Sequence, residues 1–178
     1  MAKVGLGLLV LLLPLVVPSA AATEPSVATS VTVAAVGLPA KKAGRREILY
    51  AFGKDAALRA RSAALSGLRR REAFREVVDE GPAGWTLQLD ILEASQSFDD
   101  RSALASSASR LVVTATLSWT WARGEEPAVS GTFESRRTAE LDRAPWRDDL
   151  SAAWQLLLED AAAQAFSKAW DQGVFGDP

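Results

Sequence analysis

Three segments in the second half of the chain alternate apolar and polar residues with a period of two. In the first, Trp85, Leu87, Leu89 and Ile91 fall on one side and Thr86, Gln88 and Asp90 on the other. In the second, Leu111, Val113, Ala115, Leu117, Trp119 and Trp121 alternate with Val112, Thr114, Thr116, Ser118 and Thr120. In the third, Val129, Gly131 and Phe133 alternate with Ser130, Thr132 and Glu134. That period is the pattern of a strand with one buried face. Residues 123–127 (Arg-Gly-Glu-Glu-Pro) carry turn chemistry between the second and third segments, so those two are expected to form a hairpin. The Ser- and Ala-rich residues 99–109 are expected to be a mobile connection.

Upstream the pattern differs. Residues 30–38 are β-branched and small (Val31, Val33, Val36), ended by Gly37 and Pro39, and predict a first strand. After a basic connector at 41–46, the period lengthens over residues 47–79. Phe52, Ala56, Ala60, Ala63, Ala64 and Leu68 recur at three- and four-residue spacing, and Phe74 and Val77 continue it beyond Gly67. The expectation is one long helix, kinked or broken at Gly67, because glycine costs about 1 kcal/mol against alanine inside a helix. A last helix is expected over residues 145–172, with Pro145 in its first turn and Gly173 as its stop. Its apolar stripe is Trp146, Leu150, Ala153, Trp154, Leu157, Ala161 and Ala165.

The order is β-α-β-β-β-α. A strand, a crossover helix and a strand favour parallel pairing, and the later strands favour antiparallel neighbours. Each strand has one polar face, so both helices belong on one side. The expected fold is α+β: a two-layer sandwich with a mixed four-stranded sheet.

The N-terminus has a different character. Lys3 precedes an apolar run over residues 4–17, followed by Pro18, Ser19 and the small residues Ala20, Ala21 and Ala22. These are the parts of a secretory signal peptide, and the run is shorter than the roughly 20 residues a spanning helix needs. The expected organisation is a signal peptide over 1–22 cleaved after Ala22 or Ala21, a flexible leader over 23–29, one domain over 30–173 and a tail over 174–178. The mature protein is then periplasmic or secreted.

Composition narrows the chemistry. The 178 residues include no Cys and no His, which removes the thiolate nucleophile, the commonest general base and the commonest metal ligand. No nucleophile elbow or phosphate loop occurs, and no cofactor or metal site is indicated. Acidic pairs stand at Asp99-Asp100, Glu125-Glu126, Asp148-Asp149 and Glu159-Asp160, all expected on loops or solvent faces. Of the six tryptophans, Trp85, Trp119, Trp146 and Trp154 are expected in the core, whereas Trp121 and Trp170 are the better candidates for surface contacts.

Charge is unevenly spread. Residues 41–75 hold 11 basic residues against Glu47, Asp55 and Glu72, although the chain as a whole is net negative. The candidate contacts for an anionic ligand are Arg45, Arg46, Arg69, Arg70 and Arg71. An ordinary solvated helix face gives the same pattern. Nucleic acid is not an expected partner of an exported chain with this net charge.

The element order over residues 31–172 is joined by a phrase at the end of the first helix, Leu65-x-x-Leu68 followed by Ala73-Phe74-Arg75-Glu76-Val77-Val78. On these features the chain resembles small bacterial envelope lipoproteins: the lipopolysaccharide-assembly, ABC-transport auxiliary and penicillin-binding-protein activator types. That resemblance implies a non-enzymatic adaptor. Those families mostly carry a lipidated Cys after the signal peptide, where this chain has Ala22-Thr23, so a freely soluble form is expected here. The resulting expectation is a non-enzymatic periplasmic accessory protein, peripheral to the membrane at most, that binds an envelope protein complex or an anionic lipid or glycan. The alternatives are a protein-only adaptor working through an exposed sheet edge and a hydrolase using carboxylates alone.

Overall fold

The computed structural model describes residues 27–99, 109–141 and 146–176. The proposed signal peptide, most of the leader and most of the Ser/Ala-rich connection lie outside them. The elements are β1 (Val27–Gly37), α1 (Lys42–Phe52), a 3₁₀ turn (Gly53–Asp55), α2 (Ala56–Arg71), β2 (Phe74–Val77), β3 (Trp85–Asp99), β4 (Ser109–Arg123), β5 (Glu126–Leu141) and α3 (Trp146–Asp171).

The mixed sheet has five strands, not four, in the order β2-β1-β3-β4-β5. The additional strand is β2, whose Phe74 and Val77 were expected to continue a helix. Their three-residue spacing is a helical one and not the two-residue period of a regular strand, but the chain has already left the helix at Glu72, a left-handed cap with φ 52°. β1 starts at Val27, inside the expected leader, and pairs in parallel with both β2 and β3. The parallel pairing across the helical crossover is therefore present. β3, β4 and β5 form an antiparallel meander, and the hairpin between β4 and β5 closes where expected. Its turn places Gly124 at φ 64°, the positive value that the first position of a two-residue type II′ turn requires.

The helical segment breaks at Gly53 (φ 75°), not at Gly67. Gly67 stays helical because α2 and α3 press together there. A Cβ on Gly67 would lie 2.1 Å from the Glu159 carbonyl oxygen and 2.7 Å from its Cα.

The strands also run longer than the alternation shows. β3 contains a bulge between Ile91 and Glu93, which leaves Leu92 43% exposed and reverses the faces beyond it. Ala94 then packs on the core while Glu93 and Ser95 face out.

The core lies between one sheet face and the helix layer. Val31, Val33, Leu87, Leu89, Leu117 and Trp119 face Ile48, Leu68, Trp154, Leu157, Leu158 and Phe166. At one end Phe74, Trp121, Phe166, Trp170 and Phe175 form an aromatic cluster. Trp121 is fully buried and donates from Nε1 to the Ala165 carbonyl at 3.1 Å, so it is core and not a surface residue. Trp85, Trp119 and Trp154 are buried as expected, and Trp170 is half-buried. The Trp146 side chain lies outside the described residues. Val174 and Phe175, expected in the tail, pack onto the core.

β2 stops at Val77, which leaves the Val33 carbonyl of β1 without a strand partner on that side. Arg61 fills the gap, donating from Nε to the Val33 carbonyl at 2.6 Å and from Nη2 to the Asp79 carbonyl. The loop between β2 and β3 then crosses β1. Val78 N–H donates to the Val31 carbonyl at 2.8 Å, Thr32 Oγ1 donates to the Val78 carbonyl at 2.8 Å, and Gly84 N–H donates to Ser30 Oγ at 3.1 Å. This crossing explains why Thr32 is buried although it points away from the helices.

Candidate functional site

The five arginines singled out from the sequence do not form one site. Arg69, Arg70 and Arg71 close α2, where cations suit the negative end of the helix dipole. Arg69 pairs with Asp79 at 2.7 Å and so helps hold the loop that crosses β1. Arg70 pairs with Glu159 of α3, and Glu159 is only 4% exposed. Glu159 was expected on a solvent face. Gly67 removes the side chain that would otherwise separate the helices, so the carboxylate lies beneath Arg70 and also accepts from Gln155 Nε2 at 2.9 Å. Its neighbour Asp160 points elsewhere and pairs with Arg137 of β5 at 2.8 Å. The acidic pair thus splits between two cations, and its job is to fix α3 to α2 and to the sheet.

Arg70→Ala would leave a buried carboxylate without its cation. The guanidinium is itself largely exposed, which tempers the cost to about 2 kcal/mol. Arg71→Ala should change stability by no more than about 0.5 kcal/mol. Urea unfolding of the two variants, side by side, measures the difference.

Arg45 and Arg46 sit on α1, on another part of the surface. The residues α1 buries are Gly44, Ile48, Ala51 and Phe52, which define one face at helical spacing. The opposite half presents Lys42, Arg45, Arg46, Leu49 and Tyr50. Leu49 is 39% exposed and Tyr50 59% exposed, and Leu58 at the start of α2 is 64% exposed. These three apolar residues and Leu92 are the large exposed hydrophobics of the described chain. None of Lys42, Arg45 and Arg46 has an ion-pair partner among the described residues. The sequence signal for Leu49 and Tyr50 was available: both fall off the buried stripe of their own helix.

At the start of α1, Lys41 pairs with Glu93 beside a cleft of about 350 Å³ that also touches Ser95, Thr116 and Glu134. The hydrogen bond from Lys41, with its charge, holds the Glu93 carboxyl below the usual carboxylate range. The linked stability is present above the unfolded-state value and is lost as pH falls through the lowered one. Among the described residues no three acidic side chains converge as a metal site would require.

The architecture is that of a small two-layer α+β sandwich in which a parallel N-terminal strand joins an antiparallel meander. No protein-family model matches the sequence, and no curated protein matches it. Solved structures do. Protein XCC0632 from Xanthomonas campestris, of family DUF330, is similar with a TM-score of 0.53 and 11% identity, covering 85% of this chain and 91% of its own. That likeness is one of fold. Bacterial lipoproteins are also similar at lower scores. The minor lipoprotein from Acinetobacter baumannii has a TM-score of 0.41 and 13% identity, covering 83% of this chain and 96% of its own. Rare lipoprotein B from Shewanella oneidensis has a TM-score of 0.40 and 12% identity, covering 82% and 96%.

Proposed function

We propose that this chain is a non-enzymatic accessory protein of a bacterial cell envelope, and that it binds an anionic lipid surface through the outward face of α1. The observation that carries this reading is the set of cations Lys42, Arg45 and Arg46, unpaired among the described residues, beside exposed Leu49 and Tyr50. Side chains of this kind serve an interface well. The cations are drawn to lipid phosphates, each contributing about 1 kcal/mol near an anionic surface, while the aromatic and aliphatic groups enter the headgroup region. No helix among the described residues is long and apolar enough to cross a membrane, and the contact proposed is a peripheral one. The signal-peptide pattern at residues 1–22 supports delivery to the envelope.

Two sets of charges on one domain make the reading testable. Vesicles containing phosphatidylglycerol should sediment the protein at low salt, and vesicles of phosphatidylcholine alone should not. Arg45→Glu with Arg46→Glu should weaken the association by about tenfold or more. Arg69→Gln with Arg70→Gln should leave it within about twofold, since those cations already have acidic partners. Equal loss in both pairs of variants, or no vesicle binding by the native protein, would reject the α1 surface.

A further inference from the structure

Sheet borders are templates for further pairing, and among the described elements all borders but one are protected. β2 is only four residues long. The part of β1 beyond β2 is covered by Arg61 and the crossing loop. β3 runs past the end of β1, and there Gly44 of α1 sits against Ala94: a Cβ on Gly44 would lie 3.1 Å from the Ala94 nitrogen and 3.2 Å from its oxygen. β5 has 16 residues, borders the sheet, and has β4 beside it and α3 over its inner face. Its other side is open among the described elements.

The pairing of Arg123 with Glu126 at the turn sets which backbone groups of β5 face outward. Antiparallel ladders alternate, so the N–H and C=O groups of residues 130, 132, 134, 136 and 138 point away from β4. Pro127 agrees with this count, because its missing N–H also falls on the outward side. On the outer face Glu134 and Arg136 are exposed, two residues apart, and neither has an ion-pair partner among the described residues. On the inner face Val129, Phe133 and Ala139 are only partly buried.

We infer that β5 is the interface for a second copy of this chain, paired antiparallel about Ser135. That register brings outward-facing residues opposite one another, as hydrogen bonding requires. It sets Glu134 opposite Arg136 of the second copy and Arg136 opposite its Glu134, so one two-fold axis forms both charge pairs. Thr132 and Thr138 meet in the same way. Shifting by two residues in either direction places Glu134 opposite Glu134 or Arg136 opposite Arg136. The product is one continuous ten-stranded sheet that also covers the open flanks of Val129 and Phe133.

Sedimentation equilibrium on the purified protein tests this. The native chain should be dimeric. Glu134→Arg alone and Arg136→Glu alone each replace two attractive pairs with two repulsive ones and should raise the dissociation constant about tenfold or more. The double reversal should return it to within about threefold of native. Arg136→Pro removes one outward N–H and leaves the β4 ladder whole, so it should give a monomer with native circular dichroism. A monomeric native protein, single reversals without effect, a double reversal that does not restore the dimer, or a dimeric folded proline variant would each overturn the assignment.

Discussion

Trp121→Ala should lower the stability of the domain by about 4 kcal/mol. The indole is fully buried at the junction of five elements. It stacks on Phe74 of β2 with centroids 5.7 Å apart, meets Phe175 edge-on at 5.1 Å, and donates to Ala165 of α3. Removing it opens a cavity bounded by aromatic rings from the edge strand, the last helix and the segment after it. Those rings are fixed by one another, so the space cannot close cheaply. Trp121→Phe keeps one aromatic ring and loses the donor with part of the indole's volume. The Ala165 carbonyl retains its place in the helix, so that variant should lose no more than about 1.5 kcal/mol. The midpoint of urea unfolding, with the slope held constant, separates the two. Equal losses would mean that the hydrogen bond and not the packing dominates.

Gly67→Val is the second large effect, and it acts through excess volume. A Cβ at position 67 would meet backbone atoms of Glu159, which cannot rotate away as a side-chain tip would. α2 and α3 would have to separate, opening the contact of Leu68 and Ala64 with α3 and drawing Arg70 off Glu159. A loss of about 3 kcal/mol is expected. Gly67→Ala should cost less yet remain destabilising, although alanine favours helices over glycine by about 1 kcal/mol. A stabilised Gly67→Ala variant would show that the helices are not in such close contact.

The same glycine shows where the sequence stops being informative. Gly53 and Gly67 both interrupt an amphipathic helical pattern, and nothing local says which one ends a helix. The choice is made by Glu159, nearly a hundred residues away. The antiparallel meander was legible because Leu111 to Trp121 alternate with Val112 as the one exception and Gly124 marks the turn. The far halves of β3 and β5 were not, because Leu92 is an inserted residue that reverses the faces. Beyond it Ser, Gln and Arg occupy positions that face the helices. Phe74-Arg75-Glu76-Val77 is too short for either period to decide.

For the candidate site, the excess of cations between residues 41 and 75 was plain from the sequence. Which of them were already engaged was not, since Asp79, Glu159 and Val33 come from the crossing loop, the last helix and the first strand. Tertiary pairing divided one basic segment into two roles, with Arg61, Arg69 and Arg70 holding elements together and Lys42, Arg45 and Arg46 left to the solvent.

The position of β1 bears on how the chain assembles. Both of its sheet neighbours come from residues 74–90, so when synthesis has reached α2 the first strand has nothing to pair with. The meander closes through adjacent segments, which lowers the entropy cost of its contacts relative to those of β1. A chain emerging from its N-terminus therefore carries Val31 unpaired until Val77 has followed and Val33 unpaired until Leu87 has followed.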